Sequence, residues 1–146
     1  MTTLVNRRTI RIEWGDCDPA QIVFYPRYFA FFDGATQELF RTALGKPKIE
    51  WVRDYGIIGI PMVDTRARFI VPSRYGDDVV IESRVAQFRR SSFDVEHKLL
   101  RGDLVAIEAS ETRVWAGPHP EKPGEIKGYP IPAEVMARFV ERSGSA

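Results

Sequence analysis

Apolar residues along this chain recur with two periods, one typical of an α-helix and the other of β-strands. After Pro26 and up to Gly45 they follow the three-to-four spacing of a helix face, and the first two turns are apolar nearly all round. Proline suits the first position of a helix because its missing N–H costs nothing there, and glycine suits the position after the last turn. The pattern therefore predicts a buried central helix over about residues 25–44, about 28 Å long.

Alternation of apolar and polar residues predicts the strands. Residues 7–14 alternate, with Ile10, Ile12 and Trp14 on one side, which is typical of a half-buried strand. An Arg-Gly-Asp tripeptide at 101–103 predicts a hairpin turn between the last two strands. The other strands are predicted over residues 62–71, 78–88, 92–100 and 104–115.

The order of these elements predicts the fold class. One strand, a long helix and then consecutive strands favour hairpin pairing and a mostly antiparallel sheet. We predict a single α+β domain over residues 1–146, of the hot-dog type, in which a curled sheet of about five strands wraps the central helix. One sheet covers only one side of that helix, so the remaining face and the edge strands favour dimerisation. The other predicted segments are a loop at 15–24, a loop or short helix at 45–59, a surface loop at 118–132 and an amphipathic tail helix at about 133–142.

Composition narrows the class of protein. The 146 residues carry a net charge of +1, which argues against a bulk nucleic-acid or membrane binder. Cys17 is the single cysteine, so no internal disulfide forms and a reducing compartment fits. No window approaches the roughly 20 apolar residues of a membrane span, and the N-terminus lacks the apolar run of a signal peptide. We therefore predict a cytoplasmic protein.

The polar loop before the central helix holds the first candidate chemistry. It contains Asp16 and Asp18, and it leads into the predicted helix start at Tyr25. Pro26 has no N–H, which leaves the backbone N–H groups of Tyr25 and of the two residues after Pro26 to hold a carbonyl oxygen as negative charge develops on it. Asp18 is able to attack that carbonyl or to activate a water, which suits acyl transfer from an ester or thioester. The alternative is that either aspartate makes an Asx-turn or caps the helix.

Other polar residues leave alternatives open. Cys17 is a rival nucleophile, but it needs a base, and His97 falls on the apolar face of a strand while His119 lies between two prolines. Asp33 lies on the helix predicted to be buried, so it either meets a polar substituent of a ligand or pairs with an arginine. The Arg-Arg-Ser-Ser run at 89–92 either binds phosphate or forms a solvated hairpin end. The sequence has no serine-hydrolase elbow, phosphate-binding glycine loop or paired metal-ligand motif.

Residues 15–33 read GDCDPAQIVFYPRYFAFFD, and this stretch resembles the hot-dog thioesterase superfamily, most of all its 4-hydroxybenzoyl-CoA thioesterase branch. The similarity continues at 56–61, 75–79, 89–93 and 111–114, so it covers nearly the whole chain. The resemblance implies hydrolysis of an acyl-CoA thioester with no metal or cofactor. It also implies a homo-oligomer, either a dimer or a dimer of dimers (a homotetramer), with active sites between subunits.

The resemblance further implies roles for individual residues. Asp18 matches the family's catalytic aspartate, which acts as nucleophile or general base, and Tyr25 matches the residue whose backbone N–H polarises the thioester carbonyl. Asp33 matches a residue at the aromatic end of the substrate pocket. The CoA phosphates are expected near Arg89, Arg90, Ser91 and Lys127.

Several positions depart from the family pattern. Gln21 replaces a glycine of the loop, Ile60 replaces a threonine that helps hold the ring hydroxyl of the substrate, and Ser91 replaces a lysine at the phosphate site. A tryptophan expected between Pro47 and Ile49 is missing. With Gln21, Asp33 and Ile60 as substrate-binding residues, we expect an aromatic or medium-length acyl group, less polar than 4-hydroxybenzoyl or differently substituted. The alternatives are a non-catalytic binder of acyl-CoA or hydrophobic ligands on the same fold, and an interaction domain with no pocket.

Overall fold

The computed structural model describes residues 2–141, with side chains up to residue 140. The helices are α1 (Pro26–Leu44), α2 (Lys48–Tyr55) and α3 (Ala133–Ala137), and a single 3-10 turn forms at Trp14–Asp16. The strands are β1 (Thr2–Thr3), β2 (Asn6–Arg11), β3 (Met62–Phe69), β4 (Asp78–Phe88), β5 (Ser92–Arg101), β6 (Leu104–Val114), β7 (Ala116–Pro118), β8 (Ile126–Gly128) and β9 (Val140–Glu141).

Five of these strands form one antiparallel sheet in the order β2-β4-β5-β6-β3. Each neighbouring pair is antiparallel, and β4, β5 and β6 follow one another through short hairpins because consecutive strands pair most easily that way. The strands β2 and β3 are the two edges, and the sheet is not closed. The predicted α+β architecture, a main helix packed on a five-stranded antiparallel sheet, is confirmed.

The helix α1 begins at Pro26 and ends before Gly45, as its sequence predicts. Gly45 adopts a left-handed conformation (φ 73°), and its N–H donates to the carbonyl of Arg41 at 2.9 Å. One face of α1 packs on the sheet, whereas Phe29 and Phe31 are only half-buried and Ala30 is exposed. The expectation of burial nearly all round the first two turns is therefore wrong, because a single sheet covers one side of the helix. The buried residues of α1 are Tyr28, Phe32, Ala35, Thr36, Leu39, Phe40, Ala43 and Leu44.

Three predicted segments differ from the structure. The first strand ends at Arg11 instead of residue 14, because the chain turns into the 3-10 helix, and Trp14 is 76% exposed. The loop predicted at 118–132 contains part of a small hairpin, in which β7 pairs with β8. The tail helix ends at Ala137, and Val140 and Glu141 form a strand with Thr2 and Thr3; residue 142 lies outside the described residues.

The core divides into two clusters, one at each end of the sheet. The larger cluster is aromatic and surrounds Phe40, whose ring lies 4.7 Å from Phe139, 5.2 Å from Phe93 and 5.6 Å from Trp51, centroid to centroid. The smaller cluster lies under the N-terminal half of α1 and includes Ile12, Val23, Tyr28, Phe32, Val79, Ile81, Leu99 and Ile107. It supports the loop that precedes α1.

No helix in the described part of the chain is long and apolar enough to cross a membrane.

The substitution Phe40→Ala tests the aromatic cluster. Phe40 is fully buried among three rings, so its removal leaves a cavity and lowers the free energy of unfolding by about 3–5 kcal/mol, measured by urea denaturation. Ile49→Ala is the control, because Ile49 is 81% exposed, and we expect a change within about 0.5 kcal/mol. A loss at position 40 no larger than that of the control contradicts this packing.

Candidate active site

The polar loop that precedes α1 folds back on itself as a short ladder. The N–H of Asp18 donates to the carbonyl of Ile22 at 3.1 Å, and the N–H of Phe24 donates to the carbonyl of Asp16 at 2.8 Å. Along each side of the ladder these two hydrogen bonds are two residues apart, a distance of roughly 7 Å. Asp18 therefore lies at one end of the ladder, and at the other end the chain continues from Phe24 into Tyr25 at the start of α1.

The two aspartates of the loop have different environments. Asp16 accepts a hydrogen bond from the N–H of Glu13 through Oδ2 at 2.8 Å, which closes the 3-10 helix. Asp18 accepts one from the N–H of Ala20 through Oδ1 at 2.8 Å, the Asx-turn named above as an alternative. Its Oδ2 has no hydrogen-bond partner among residues 2–140, and the side chain is half-buried. Asp16 is thus a structural residue, whereas Asp18 keeps one carboxylate oxygen available.

The start of α1 offers one free backbone donor. Tyr25 already has helical dihedral angles, with φ −52° and ψ −34°. The N–H of Arg27 donates to the carbonyl of Phe24 at 2.8 Å, and the N–H of Tyr28 donates to the carbonyl of Tyr25 at 3.0 Å. Within the described residues the N–H of Tyr25 donates to none of the carbonyls or side chains. Of the three donors considered from the sequence, only Tyr25 is available at the positive end of the helix.

Gln21 lies at the tip of the same loop in a left-handed conformation, with φ 68°. It is the single non-glycine residue in the described chain with a positive φ. Its N–H donates to the carbonyl of Asp18 at 2.8 Å and so closes a tight turn. This conformation costs an L-residue about 1–2 kcal/mol, a cost that a glycine would avoid. The structure therefore places backbone strain next to Asp18.

Asp33 and Ile60 lie together because one arginine contacts both. Arg113 donates to Asp33 Oδ1 through Nη2 at 2.7 Å and to the carbonyl of Ile60 through Nη1 at 3.0 Å. Asp33 and Ile60 line a cavity of about 470 Å³ between α1 and the segment before β3. The Asp33 side chain is 55% exposed, so the expectation that it is buried is wrong. Asp33 pairs with Arg113 through Oδ1, and its Oδ2 has no hydrogen-bond partner among residues 2–140.

A buried ionic network on β6 was missed from the sequence. Glu111 and Arg113 are 2% and 3% exposed, and Glu111 Oε1 accepts from Arg113 Nε at 3.0 Å. Glu111 Oε1 also accepts from Thr36 Oγ1 of α1 at 2.5 Å. The signal in the sequence is that Ala109, Glu111 and Arg113 alternate on one face of a strand, and that face points toward the helix. Two charged residues at inward positions of a central strand indicate a buried pair.

The protonation states of this network follow from its contacts. Burial raises the pKa of Glu111, but hydrogen bonds and charge from His97 and Arg113 outweigh burial, so the pKa of Glu111 lies below its ordinary value. Burial lowers the pKa of Arg113, and the carboxylates of Glu111 and Asp33 reverse this effect and raise it. Glu111 and Arg113 are therefore both charged at neutral pH.

The alternative of cysteine catalysis has no support in the geometry. Cys17 is half-buried, and its Sγ lies 3.7 Å from the carbonyl of Glu13. His97 is buried, as its position on the apolar face predicts, and its ring nitrogens lie 2.7 Å from Ser83 Oγ and 3.2 Å from Thr36 Oγ1. His119 accepts hydrogen bonds from two backbone N–H groups of its own loop. Neither histidine contacts the thiol.

The basic residues expected at the CoA phosphates lie together at another place in the fold. The carbonyl of Arg90 accepts from the N–H of Ile131 at 2.8 Å, and a Cβ built on Gly128 would lie 3.2 Å from Ser91 Oγ. The segment that carries Lys127 thus runs beside residues 89–91. The members of this basic cluster are Arg89, Arg90, Ser91 and Lys127.

The members of the basic cluster differ in their availability. Arg89 donates to both carboxylate oxygens of Asp94, at 2.6 and 3.0 Å, and the pKa of Asp94 lies below its ordinary value because of that bond. Arg90 and Lys127 are exposed, and no ion pair involves them within residues 2–140. Arg90 and Lys127 are therefore the cations of the cluster that are free of ion pairs, although Lys127 Nζ lies 5.7 Å from the centroid of the Tyr129 ring.

The loop with Asp18 and the basic cluster lie at opposite ends of the sheet. The strand β4 begins beside the loop, where the N–H of Ile12 donates to the carbonyl of Asp77, and it ends at Phe88, next to Arg89. A strand of 11 residues spans roughly 35 Å. Within one chain, the loop and the cluster are therefore too far apart to contact the same few atoms of a ligand.

Comparison with known proteins assigns the family. A model described as the thioesterase-like superfamily matches residues 12–139. The 4-hydroxybenzoyl-CoA thioesterase of Pseudomonas sp. (strain CBS-3) is 35% identical over 131 residues, which cover 86% of this chain and 91% of that protein. This chain belongs to the thioesterase-like superfamily and is a thioester hydrolase.

Solved structures agree with that assignment. The X-ray structure of an aspartate-to-asparagine mutant of 4-hydroxybenzoyl CoA thioesterase, complexed with 4-hydroxybenzoyl CoA, matches with a TM-score of 0.84 and 30% identity, covering 92% of this chain and 98% of that chain. A gentisyl-coenzyme A thioesterase matches with a TM-score of 0.76 and 31% identity over the same shares. Within its class, the chain lies close to the 4-hydroxybenzoyl-CoA thioesterase branch, and the predicted hot-dog fold is confirmed.

No group of three or more His, Cys, Asp or Glu side chains in the described chain is arranged to hold a metal ion.

The substitution Glu111→Gln tests the buried network. The variant leaves Arg113 buried with one half-exposed carboxylate, so we expect the free energy of unfolding at neutral pH to fall by about 3 kcal/mol. Because the folded-state pKa of Glu111 is lowered, its contribution is present above the ordinary value of 4.5 and is lost as the pH falls through the folded value. Urea denaturation between about pH 6 and pH 3 should therefore show a steeper loss for the wild type than for the variant.

The control is Glu108→Gln, on the exposed face of the same strand. It should follow the wild-type pH dependence. Parallel curves for the wild type and Glu111→Gln would reject the assigned charge state.

Proposed function

We propose that this chain hydrolyses aromatic acyl-CoA thioesters, with Asp18 and the backbone N–H of Tyr25 at the reaction centre. The observation that carries the proposal is that Asp18 Oδ2 and the Tyr25 N–H both lack partners among the described residues and flank one short ladder. The relatives support the substrate class, because the proteins at 30% and 31% identity are thioesterases of 4-hydroxybenzoyl CoA and gentisyl-coenzyme A. Both of those acyl groups are aromatic.

In the proposed reaction the thioester carbonyl oxygen accepts a hydrogen bond from the Tyr25 N–H. The positive end of α1 stabilises the negative charge that develops on this oxygen. On the general-base route, Asp18 takes a proton from water, the hydroxide adds to the carbonyl carbon, the C–S bond breaks, and the CoA thiolate takes up a proton. On the nucleophilic route, the Asp18 oxygen forms an anhydride with the acyl group, CoA leaves, and water hydrolyses the anhydride.

The two ends of the substrate are assigned to different residues. Asp33 and Ile60 line the cavity for the acyl group, and Gln21 lies beside Asp18 at the reacting bond. Arg90 and Lys127 contact the CoA phosphates, with Ser91 beside them, because phosphates favour charged donors that are not already paired. Arg89 has mainly a structural role, because its ion pair with Asp94 stabilises the hairpin between β4 and β5.

This assignment needs a second copy of the chain. The reaction loop and the basic cluster lie at opposite ends of β4, so one substrate spans them only when two chains combine. The edge strand β3 supports pairing between copies, since it is hydrogen-bonded to β6 on one side only and its residues are almost all exposed. We propose a homodimer as the minimum unit, with a homotetramer as a dimer of dimers, in the cytoplasm.

The substitution Asp18→Asn tests the reaction centre. The asparagine retains an oxygen for the Ala20 N–H but cannot act as a base or nucleophile, so we expect kcat to fall at least about 100-fold. The measurement is thiol release from benzoyl, hydroxybenzoyl and medium-length acyl-CoAs.

The matched control is Asp16→Asn, in the same loop, which keeps its cap to Glu13 and should retain activity within about threefold. Turnover by Asp18→Asn near the wild-type level rejects the assignment. Tight binding by a wild-type protein that hydrolyses no thioester of the panel points instead to the non-catalytic binder.

Alanine variants of the free cations test the CoA end. Arg90→Ala and Lys127→Ala should each raise KM by about tenfold, because each removes one charge-assisted contact, and should leave kcat unchanged. Added salt should reduce the difference from the wild type. Lys98→Ala, an exposed lysine on β5, is the control. An unchanged KM in the Arg90→Ala, Lys127→Ala double variant excludes the cluster from the site.

A further inference from the structure

The hydroxyl of Tyr28, in the first turn of α1, takes no part in the proposed reaction, yet it is connected to the reaction loop. The Tyr28 side chain is 3% exposed, and its hydroxyl accepts a hydrogen bond from the N–H of Ser73 at 3.1 Å. The carbonyl of the same Ser73 accepts from the N–H of Val23, in the loop, at 3.0 Å. All three residues are buried, so Ser73 joins the helix to the loop inside the protein.

These two hydrogen bonds close a ring of contacts around Tyr25. Val23 lies on the returning side of the ladder, opposite Cys17, and Tyr28 comes three residues after Tyr25. Val23 and Tyr28 therefore flank Tyr25 in the chain, and one residue holds both of them, which fixes the angle between the ladder and the first turn of α1. Because the ladder carries Asp18 and the turn follows the Tyr25 N–H, the ring sets the position of one group relative to the other.

Ser73 is itself fixed by its neighbours in the segment between β3 and β4. The carbonyl of Pro72 accepts from Arg101 Nη1 of β5 at 2.9 Å, and the N–H of Arg74 donates to Asp77 Oδ2 at 2.8 Å. The Ser73 hydroxyl has no hydrogen-bond partner among residues 2–140. Ser73 therefore acts through its backbone, which is anchored to the sheet beside it.

We propose that Tyr28 is a positioning residue for thioester hydrolysis, and that its hydroxyl holds the Asp18 loop against the start of α1 through Ser73. A buried N–H that loses its partner is left unsatisfied, so removal of the hydroxyl favours a shift of the Ser73 segment and of the loop bonded to it. Small displacements of reacting groups cost a large part of the rate. This inference rests on the proposed function and goes beyond it by naming a residue that sets the geometry of the reaction centre.

The location of Tyr28 predicts an effect on turnover and little effect on substrate binding. Tyr28 is not among the described residues that line the cavity beside Asp33, and the basic cluster lies at the opposite end of β4. The Tyr28 ring packs against Phe69 and Phe31, at 5.7 and 6.2 Å between ring centroids. A phenylalanine keeps this ring packing, so Tyr28→Phe removes the hydroxyl alone.

The test measures thiol release by Tyr28→Phe from the acyl-CoA of the panel that the wild type hydrolyses fastest. We expect kcat to fall about 10- to 100-fold with KM changed less than about threefold, because only the alignment of the reacting groups is lost. In the Asp18→Asn background the same substitution should lower the remaining turnover less than about twofold, since the hydroxyl acts through the position of Asp18.

The matched control is Tyr129→Phe, which also removes a hydrogen bond from a tyrosine hydroxyl to the backbone, here to the carbonyl of Pro118 at 2.5 Å. It should keep kcat within about twofold of the wild type. A Tyr28→Phe variant with wild-type kcat, whether or not its urea midpoint or KM changes, has lost only a structural contact and overturns the inference. An equal loss of kcat in the Asp18→Asn background also overturns it, and both results leave the proposed function intact. Wild-type turnover by Asp18→Asn, or a wild type that hydrolyses no thioester of the panel, rejects the proposed function and this inference with it.

Discussion

The buried ion pair between Glu111 and Arg113 joins the central helix to the sheet, and the position of the remaining site depends on it. Two charges inside a core are costly unless their other hydrogen-bonding groups are also satisfied. Here Thr36 and Asp33 of α1 and the carbonyl of Ile60 supply those partners. Because these contacts tie one line of residues on α1 to β6, they fix the rotation of the helix about its own axis. The face of α1 that carries Asp33 and Gln37 is consequently directed toward the cavity that these two residues line.

The loop before α1 leaves one carboxylate oxygen of Asp18, the proposed reactive residue, without a hydrogen-bond partner among residues 2–140. Its backbone is held by a ladder and by the turn at Gln21, so Asp18 does not need both of its carboxylate oxygens to stabilise the loop. Asp16 caps the 3-10 helix, because its side chain accepts a hydrogen bond from the N–H of Glu13. The left-handed conformation of Gln21 has an energetic cost that the rigid ladder tolerates, and such strain is common at functional loops.

The loop with Asp18 and the basic cluster are separated by the length of β4. Because of this distance, the proposed oligomer is needed to bring a loop and a basic cluster to the same substrate. A single chain offers the loop at one end of β4 and the free cations at the other. In the proposed homodimer, the exposed edge strand β3 pairs with a second chain, and that chain completes the site. In this arrangement association of chains is a requirement of the chemistry as well as a way of covering an edge.

The local pattern of the sequence was enough to predict α1 and the hairpin strands, since helix caps and apolar periods depend on neighbouring residues, and the motif at residues 15–33 indicated the family by resemblance. It also identified Asp18, Tyr25, Asp33 and the basic run as the residues to examine, although their roles remain proposals. The network of Glu111 and Arg113 escaped because its partners lie far apart in the chain, and only packing brings α1 onto β6.

Sequence by itself thus determined the central helix, the order of the main strands and the fold class of this thioester hydrolase. Only the tertiary structure decided which groups are free. Whether Asp33 is paired depends on Arg113, 80 residues further along the chain, and no local pattern encodes such a contact. Thr36 of α1 likewise reaches Glu111 of β6 over 75 residues of chain, because only the packing of the helix on the sheet brings them together.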